Sequence, residues 1–142
     1  MTAEANKTLV RKFVETVKNR RELDRMADYF RADYTEHNET VASFGKGVEG
    51  YQKFLGHLFT AFPDDVVKID RILADGDLVA YWATESGTHT DTFLGIPATK
   101  RHATWTEVQF FRIDAGKIVE HWVEVDVYGW FIQLGIIPAP QQ

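Results

Sequence analysis

Three residues able to do proton chemistry together, Glu107, Gln109 and His121, fall within the stretch Trp105 to Asp126. That stretch reads as one long β-hairpin. Two runs rich in β-branched and aromatic residues, Trp105–Ile113 and Lys117–Val125, flank Asp114-Ala115-Gly116. A three-residue loop with glycine last suits a type I turn followed by a left-handed residue. Such a turn sets Ile113 opposite Lys117. Gln109 is then expected to face His121, Glu107 to face Val123, and Trp105 to face Val125. Side chains alternate across a strand, so these six share one face. The other face carries Thr106, Val108, Phe110, Glu120, Trp122, Glu124 and Asp126. A carboxylate beside an imidazole can fix its tautomer and bring its pKa towards working pH, as general acid–base chemistry needs. Glu107 in apolar surroundings would itself titrate upward and become a usable base. With Trp105, Phe111, Val119, Val123 and Val125 around them, the three polar residues form either the floor of a mostly apolar pocket or a wet sheet surface.

Other chemistry is weakly signalled. Of the five histidines, His37 and His89 lie in or beside strand-like sequence with aromatic neighbours, and they join His121 as candidates. His57, mid-helix beside Gly56, and His102, beside Lys100 and Arg101, read as surface residues. No histidine pair has the spacing of helix-borne metal ligands, so no metal site is expected. Gly45-Lys-Gly47-Val-Glu-Gly50 matches G-x-G-x-x-G but lacks the preceding strand of a dinucleotide-binding unit, and reads as a turn and a helix start. A P-loop, a nucleophile elbow and a His-Glu-x-x-His motif are all missing.

The elements that must position this hairpin come before it. Leu9, Val10, Phe13, Val14 and Val17 recur at helical spacing, predicting an amphipathic helix over roughly Ala3 to Lys18. A second short helix carries Leu23, Met26, Ala27 and Phe30. Asp33–Asn38 reads as a short strand or loop. A third helix follows Phe44-Gly-Lys-Gly47 and is stopped by Pro63. From Val66 the period changes to two, giving strands Val66–Ala74 and Leu78–Gly87 around Asp75-Gly-Asp77. Thr88 to His102 is a strand extension and a loop, and Tyr128 to Leu134 suits a last helical turn. Helices followed by a run of antiparallel strands give an α+β fold in one domain, residues 1–142. Net charge is −5 with no basic cluster, which disfavours nucleic acid and anionic membranes as partners. Without a single cysteine there are no disulfides and no thiol chemistry. The polar N-terminus and the lack of a membrane-length apolar run lead us to expect a soluble, cytoplasmic protein.

A set of short motifs spans nearly the whole chain: Ala61-Phe-Pro-Asp64, Gly87-Thr-His89, Phe93-Leu-Gly-Ile-Pro97, Asp114-Ala-Gly-Lys-Ile118, Glu120-His-Trp122 and Gln133-Leu-Gly135. In combination they resemble the SnoaL-like polyketide cyclase family of the NTF2-like superfamily. The resemblance implies a cone-shaped α+β barrel, with N-terminal helices closing over a curved antiparallel sheet around an internal apolar cavity. It also implies a homodimer packed through the outer sheet face, where Val108, Phe110 and Trp122 would be covered. The family's cyclases close rings by intramolecular aldol condensation without metal or organic cofactor. Their catalytic aspartate falls on Val123 here, their histidine on Gln109, and a neighbouring polar cavity residue on Glu107. Asp126 lies off the cavity parity and reads as structural. The expected catalytic set is therefore Glu107 as base, with Gln109 or His121 bonding the developing enolate oxygen. Substrate contacts are expected from His37, His89, Trp82, Trp105, Val123, Phe54 and Phe59, and the ligand is expected to be small and apolar or polycyclic. A non-catalytic binding protein is the alternative reading, as is an isomerase, dehydratase or hydrolase on the same scaffold.

Overall fold

In the computed structural model, which describes residues 2–141, helices and strands come in the expected order. The helices are α1 (Ala3–Phe13), α2 (Glu39–Ala42), α3 (Gly47–Ala61) and α4 (Val127–Gln133), with a π-helical segment at Val14–Asn19 and a 3₁₀ segment at Leu23–Asp28. The strands are β1 (Phe30–Glu36), β2 (Val66–Asp75), β3 (Leu78–Thr88), β4 (His102–Asp114) and β5 (Lys117–Val125). They form one sheet in the order β1-β5-β4-β3-β2. Strand β1 pairs with β5 in parallel, and the other three pairings are antiparallel. The barrel expected from the resemblance is thus an open sheet with β1 and β2 at its edges. Helices, rather than strand pairing, complete the enclosure.

The first helix begins where Thr2 accepts the Ala5 N–H on its hydroxyl, which satisfies one of the free donors of the first turn. It buries Val10 and Phe13. The same helical body then widens into a π turn, and Thr16, Val17 and Lys18 become buried in succession. An α-helix of the expected length would turn such a run partly outward. The wider turn adds a residue per revolution and brings Lys18 inward with Val17. The core that receives these residues is aromatic. Phe13, Phe30, Tyr51 and Phe111 form one cluster, and Phe62, Phe93, Trp105 and Trp130 form a second.

The long hairpin is present with a different turn. Asp114 pairs with Lys117 across Ala115 and Gly116, both at positive φ (48° and 77°). Two central residues at positive φ make a type I′ turn, whose twist matches that of the flanking strands. A bulge follows, because Ile113 pairs with Ile118 but Arg112 pairs with Glu120. The shorter turn and the bulge each displace β5 by one residue. Gln109 therefore faces Val123, Glu107 faces Val125, and His121 faces Phe111. A shift of two keeps side-chain parity, so the cavity face has the composition read from the sequence although its pairs differ.

The glycine motif at Gly45–Gly50 is a turn and a helix start. A Cβ on Gly50 would stand 2.0 Å from the Gly45 carbonyl oxygen, so only glycine lets the two backbone segments meet.

Candidate functional site

Between the helices and the inner sheet face lies a cavity of about 310 Å³. Tyr51, Phe54, Leu55 and Leu58 of α3 form one wall, and Trp105, Val123 and Val125 form the sheet side. Phe93 and Leu94 of the β3–β4 loop and Trp130 and Phe131 of α4 complete it. Thr40, Leu94, Glu124 and Val127 are lining residues that stay exposed, and they form the rim. The polar groups gather at one end: Lys18, Glu85, Glu107 and Gln109.

At that end a lysine is shared by two carboxylates. Lys18 Nζ lies 3.5 Å from Glu85 Oε1 and 3.6 Å from Glu107 Oε1, and all three side chains are at most 4% exposed. Alternation along β3 puts Tyr81, Ala83 and Glu85 on the inner face, and the π turn delivers Lys18 from above. From Glu107 a hydrogen-bonded chain runs along the floor. The Gln109 amide donates to Glu107 Oε1 at 3.1 Å, and the Gln109 carbonyl meets His121 Nε2 at 2.8 Å. His121 Nδ1 lies 2.7 Å from Glu36 Oε1 on β1. Glu36 also accepts from the Tyr34 hydroxyl at 2.9 Å and from the Asn38 backbone N–H at 3.0 Å. The ring of His121 is held by a stack on Tyr51, with centroids 5.1 Å apart. Its contact with Gln109 is diagonal across the strand pair, which is why it survives the altered register.

Burial governs the electrostatics. It pushes Glu107 up to about 7, with Lys18 opposing and Glu85 adding to the rise. Glu85 is raised well above the usual carboxylate range by burial, against Lys18 and reinforced by Asp65. Asp65, also buried, is raised chiefly by desolvation while a hydrogen bond with Glu85 pulls it back. Among the described residues, no N–H or hydroxyl reaches the carboxylate oxygens of Asp65. Desolvation alone would strip Lys18 of its proton, but Glu107 and Glu85 outweigh it and hold the ammonium charged well above the ordinary lysine value. The arrangement supplies a carboxylate that exchanges protons near neutrality beside a cation with N–H bonds to spare.

The expected site residues divide. Glu107, Gln109, Trp105, Val123 and Phe54 line the cavity. His121 lies behind it, fully buried, touching Gln109 rather than the open space. Trp82 points to the outer sheet face and is 47% exposed, because it has the opposite parity from Tyr81 and Ala83. His37 is also outside, stacked on Trp122 at 4.5 Å with Glu120 3.8 Å away. Phe59 sits on the outer side of α3 beneath the Arg21 guanidinium, 4.1 Å from its ring centroid. His89 is buried in the β3–β4 loop, stacked on Phe62 and bonded through Nδ1 to Thr99 at 3.1 Å. Burial lowers its pKa, and it takes no part in the lining. His57, read as a surface residue, is half-buried: it accepts the Leu94 N–H at 2.9 Å and stacks on Phe93. Asp126 caps α4 by accepting the Gly129 N–H, a structural task. Lys18, Glu85 and Glu36 were not singled out from the sequence. Glu85 and Glu36 carried a usable signal, since each shares strand parity with a buried tyrosine two or four residues before it. Among the described residues, no group of three or more His, Asp or Glu is placed to hold a metal ion. Nor is any helix there long and apolar enough to cross a membrane.

The family model described as SnoaL-like polyketide cyclase matches residues 8–134. Solved structures share the fold. TsrD from Streptomyces laurentii is 24% identical with a TM-score of 0.86, over 96% of this chain and 99% of that one. AclR from Streptomyces galilaeus, provisionally a hydroxylase, is 25% identical with a TM-score of 0.84, over 99% and 87%. IdmH from Streptomyces antibioticus, provisionally a polyketide cyclase, is 27% identical with a TM-score of 0.79, over 92% and 98%. None of the curated proteins matches the chain.

Proposed function

The chain belongs to the SnoaL-like polyketide cyclase family, and on that premise we propose a cofactor-independent acid–base enzyme for a small apolar or polycyclic carbonyl compound. The observation that carries this reading is Glu107 at the polar end of an apolar cavity, with burial bringing its pKa to about 7. A base tuned to the working pH is what proton abstraction next to a carbonyl requires.

In this reading the substrate's apolar body lies against Trp105, Phe54 and Val123, with a carbonyl oxygen towards Lys18. Glu107 takes a proton from the carbon beside that carbonyl. The electron pair moves onto the oxygen, where the Lys18 ammonium stabilises the enolate. The enolate carbon then attacks a second carbonyl of the same molecule, and the new alkoxide takes the proton back from Glu107. Bonds and protons balance without an added reagent. Lys18 replaces the expected role of His121, which does not reach the cavity, while Gln109 orients Glu107. Isomerisation or dehydration would use the same proton step. Val123 at the family's aspartate position favours the other reading, a pocket that binds without turnover.

Exchange of α-protons on an aromatic β-dicarbonyl probe in D₂O, followed by NMR, tests the proton step directly. The native protein should accelerate exchange. Glu107→Gln should abolish the acceleration while keeping the native circular dichroism. Undiminished exchange in that variant would remove Glu107 as the base, and no acceleration by the native protein would favour binding alone.

We also assign the protein to the cytoplasm and read it as a homodimer. The support for the dimer is the outer sheet face, where Trp82, Phe110 and Leu73 are 47%, 42% and 71% exposed in the isolated chain.

A further inference from the structure

Three carboxyl groups and one ammonium close the polar end of the cavity, and the proton step above uses only one of the carboxyls. Glu85 is the second that faces the substrate space: it lines the cavity, with its side chain 3% exposed. Alternation along β3 aims it inward, and Glu107 lies on the diagonal, since Ala83 is the residue opposite Glu107. The Glu85 carboxyl is in hydrogen-bonding contact with Glu107 on one side and with Asp65 on the other. Two carboxyl groups bond to each other only where one keeps its proton, because an ionised carboxylate can only accept. Among the described residues, nothing else donates to the carboxylate oxygens of Asp65. The Arg21 guanidinium nearby donates instead to the backbone carbonyls of Pro63 and Asp65. Lys18 alone cannot balance three buried negative charges, so this end of the cavity retains a carboxyl proton.

We infer that Glu85 is a second catalytic residue, the acid that protonates the carbonyl oxygen under attack while Glu107 acts as base. The inference rests on the reading of Glu107 as that base. As the enolate carbon bonds to the second carbonyl carbon, the π pair of that carbonyl moves onto its oxygen. The Glu85 O–H bond breaks towards this oxygen and leaves a hydroxyl. Glu107, protonated by the substrate carbon, then passes its proton to Glu85 across their shared contact. The proton that left carbon is thus returned by way of Glu85, and both carboxyls regain their starting states.

The geometry suits this exchange. Negative charge moves from Glu107 to Glu85 and back, and Lys18 Nζ stands 3.6 Å from the one and 3.5 Å from the other. Its attraction follows the charge at almost constant distance. Lys18 is itself a poor donor, because Glu107 and Glu85 hold its ammonium charged well above the ordinary lysine value. Burial holds Glu85 well above the usual carboxylate range, with Lys18 opposing and Asp65 adding to the rise. Asp65 is a positioning residue, since it keeps the proton on Glu85 and does not line the cavity. The ionisable groups facing Glu85 are Lys18 of the π turn, Glu107 of β4, Asp65 ahead of β2, Tyr81 of β3 and Tyr51 of α3.

Both steps can be read on one molecule, an aryl β-diketone carrying a third ketone three methylenes further along. NMR in D₂O follows exchange at the carbon between the first two carbonyls. Absorbance follows closure of that carbon onto the third carbonyl to give a cyclohexenone. The native protein should accelerate both. Glu85→Gln should keep exchange near the native rate and slow closure by roughly a hundredfold or more, the usual weight of a general acid. Loss of both steps together, as a merely structural Glu85 would cause, overturns the assignment, and so does unimpaired closure. Asp65→Asn removes the negative charge behind Glu85, so closure should fail at a lower pH than in the native protein while exchange keeps its profile. An unmoved closure profile in that variant overturns the assignment as well, and this comparison decides alone should Glu85→Gln not fold. A native protein that exchanges without closing the ring sinks the acid and leaves the base standing. Undiminished exchange in Glu107→Gln sinks the base, and the acid with it.

Discussion

Lys18 Nζ stands 3.6 Å from the Glu107 carboxylate at the closed end of an apolar cavity, and both side chains are almost wholly removed from water. Removing one partner of a buried ion pair leaves a charge without compensation, at a cost of about 3–5 kcal/mol. Lys18→Met should therefore destabilise the fold by that order at pH 8, measured by urea denaturation. The loss should shrink at pH 5, where Glu107 is protonated. Equal losses at the two pH values would mean that Lys18 acts through packing alone.

Glu107 makes the native protein less stable as the pH rises. Its folded pKa of about 7 exceeds the ordinary value of 4.5, so between these values the folded state holds the proton and the unfolded state does not. Stability contributed by that difference is full below about pH 4.5 and falls as the pH climbs to about 7, by roughly 3 kcal/mol. Glu107→Gln should flatten this part of the curve. A variant that denatures in parallel with the native protein across pH 5–8 would contradict the shift.

Trp130 lines the cavity and stacks on Trp105 at 3.9 Å, and its indole N–H has no acceptor among the described residues. An unpaired buried donor leaves a place for a ligand oxygen. Trp130→Phe should weaken binding of an aromatic ketone by roughly 1 kcal/mol, about fivefold, read from quenching of tryptophan fluorescence in titrations. Unchanged affinity would show that the N–H faces away from the ligand.

The outer sheet face offers a test of assembly. Phe110 and Trp122 pair across β4 and β5, and Trp82 lies beside Val108 on β3. Placing a charge there with Phe110→Glu should convert a dimer to a monomer in light scattering coupled to size exclusion, with the fold unchanged. A native protein already monomeric at high micromolar concentration would rule out this interface.

Gly50→Ala should cost about 1–3 kcal/mol by overpacking, because the new methyl group would meet the Gly45 carbonyl. Thermal melts would register it, and an unchanged melt would mean that the Gly45 turn moves aside.

What could be read from the sequence follows the physics of alternation. A strand's period of two tolerates a pairing error of two, so Glu107, Gln109 and His121 share a face in either register, whatever the turn and the bulge do. Alternation also places Trp82 outside, since Val79, Tyr81 and Ala83 already fill the inner face of β3. Size suggests Trp82 for a cavity wall, and position along the strand overrules size. Lys18 was hidden for a different reason. In an amphipathic helix a lysine beside the apolar stripe reads as solvated, and nothing in Val14–Asn19 announces that the last turns widen. The pairing of Glu36 with His121 depends on a parallel contact between strands at opposite ends of the chain, and no local pattern encodes that.

That parallel contact also sets an order of assembly. Strand β1 lies at the sheet edge, and among the described residues it pairs with β5 alone. During synthesis the first strand to leave the ribosome is therefore the last to be paired. Its backbone must wait unpaired, and Glu36 without His121, until Lys117–Val125 has emerged. Contacts of such long sequence separation form slowly, because the chain between them must first be closed into a loop. A ribosome stalled before β5 would carry Lys18, Glu85 and Glu107 and still lack His121, Val123 and Val125. The cavity is complete only with nearly the whole chain made, since β5 supplies Val123 and Val125 of its sheet side and α4 follows with Trp130 and Phe131.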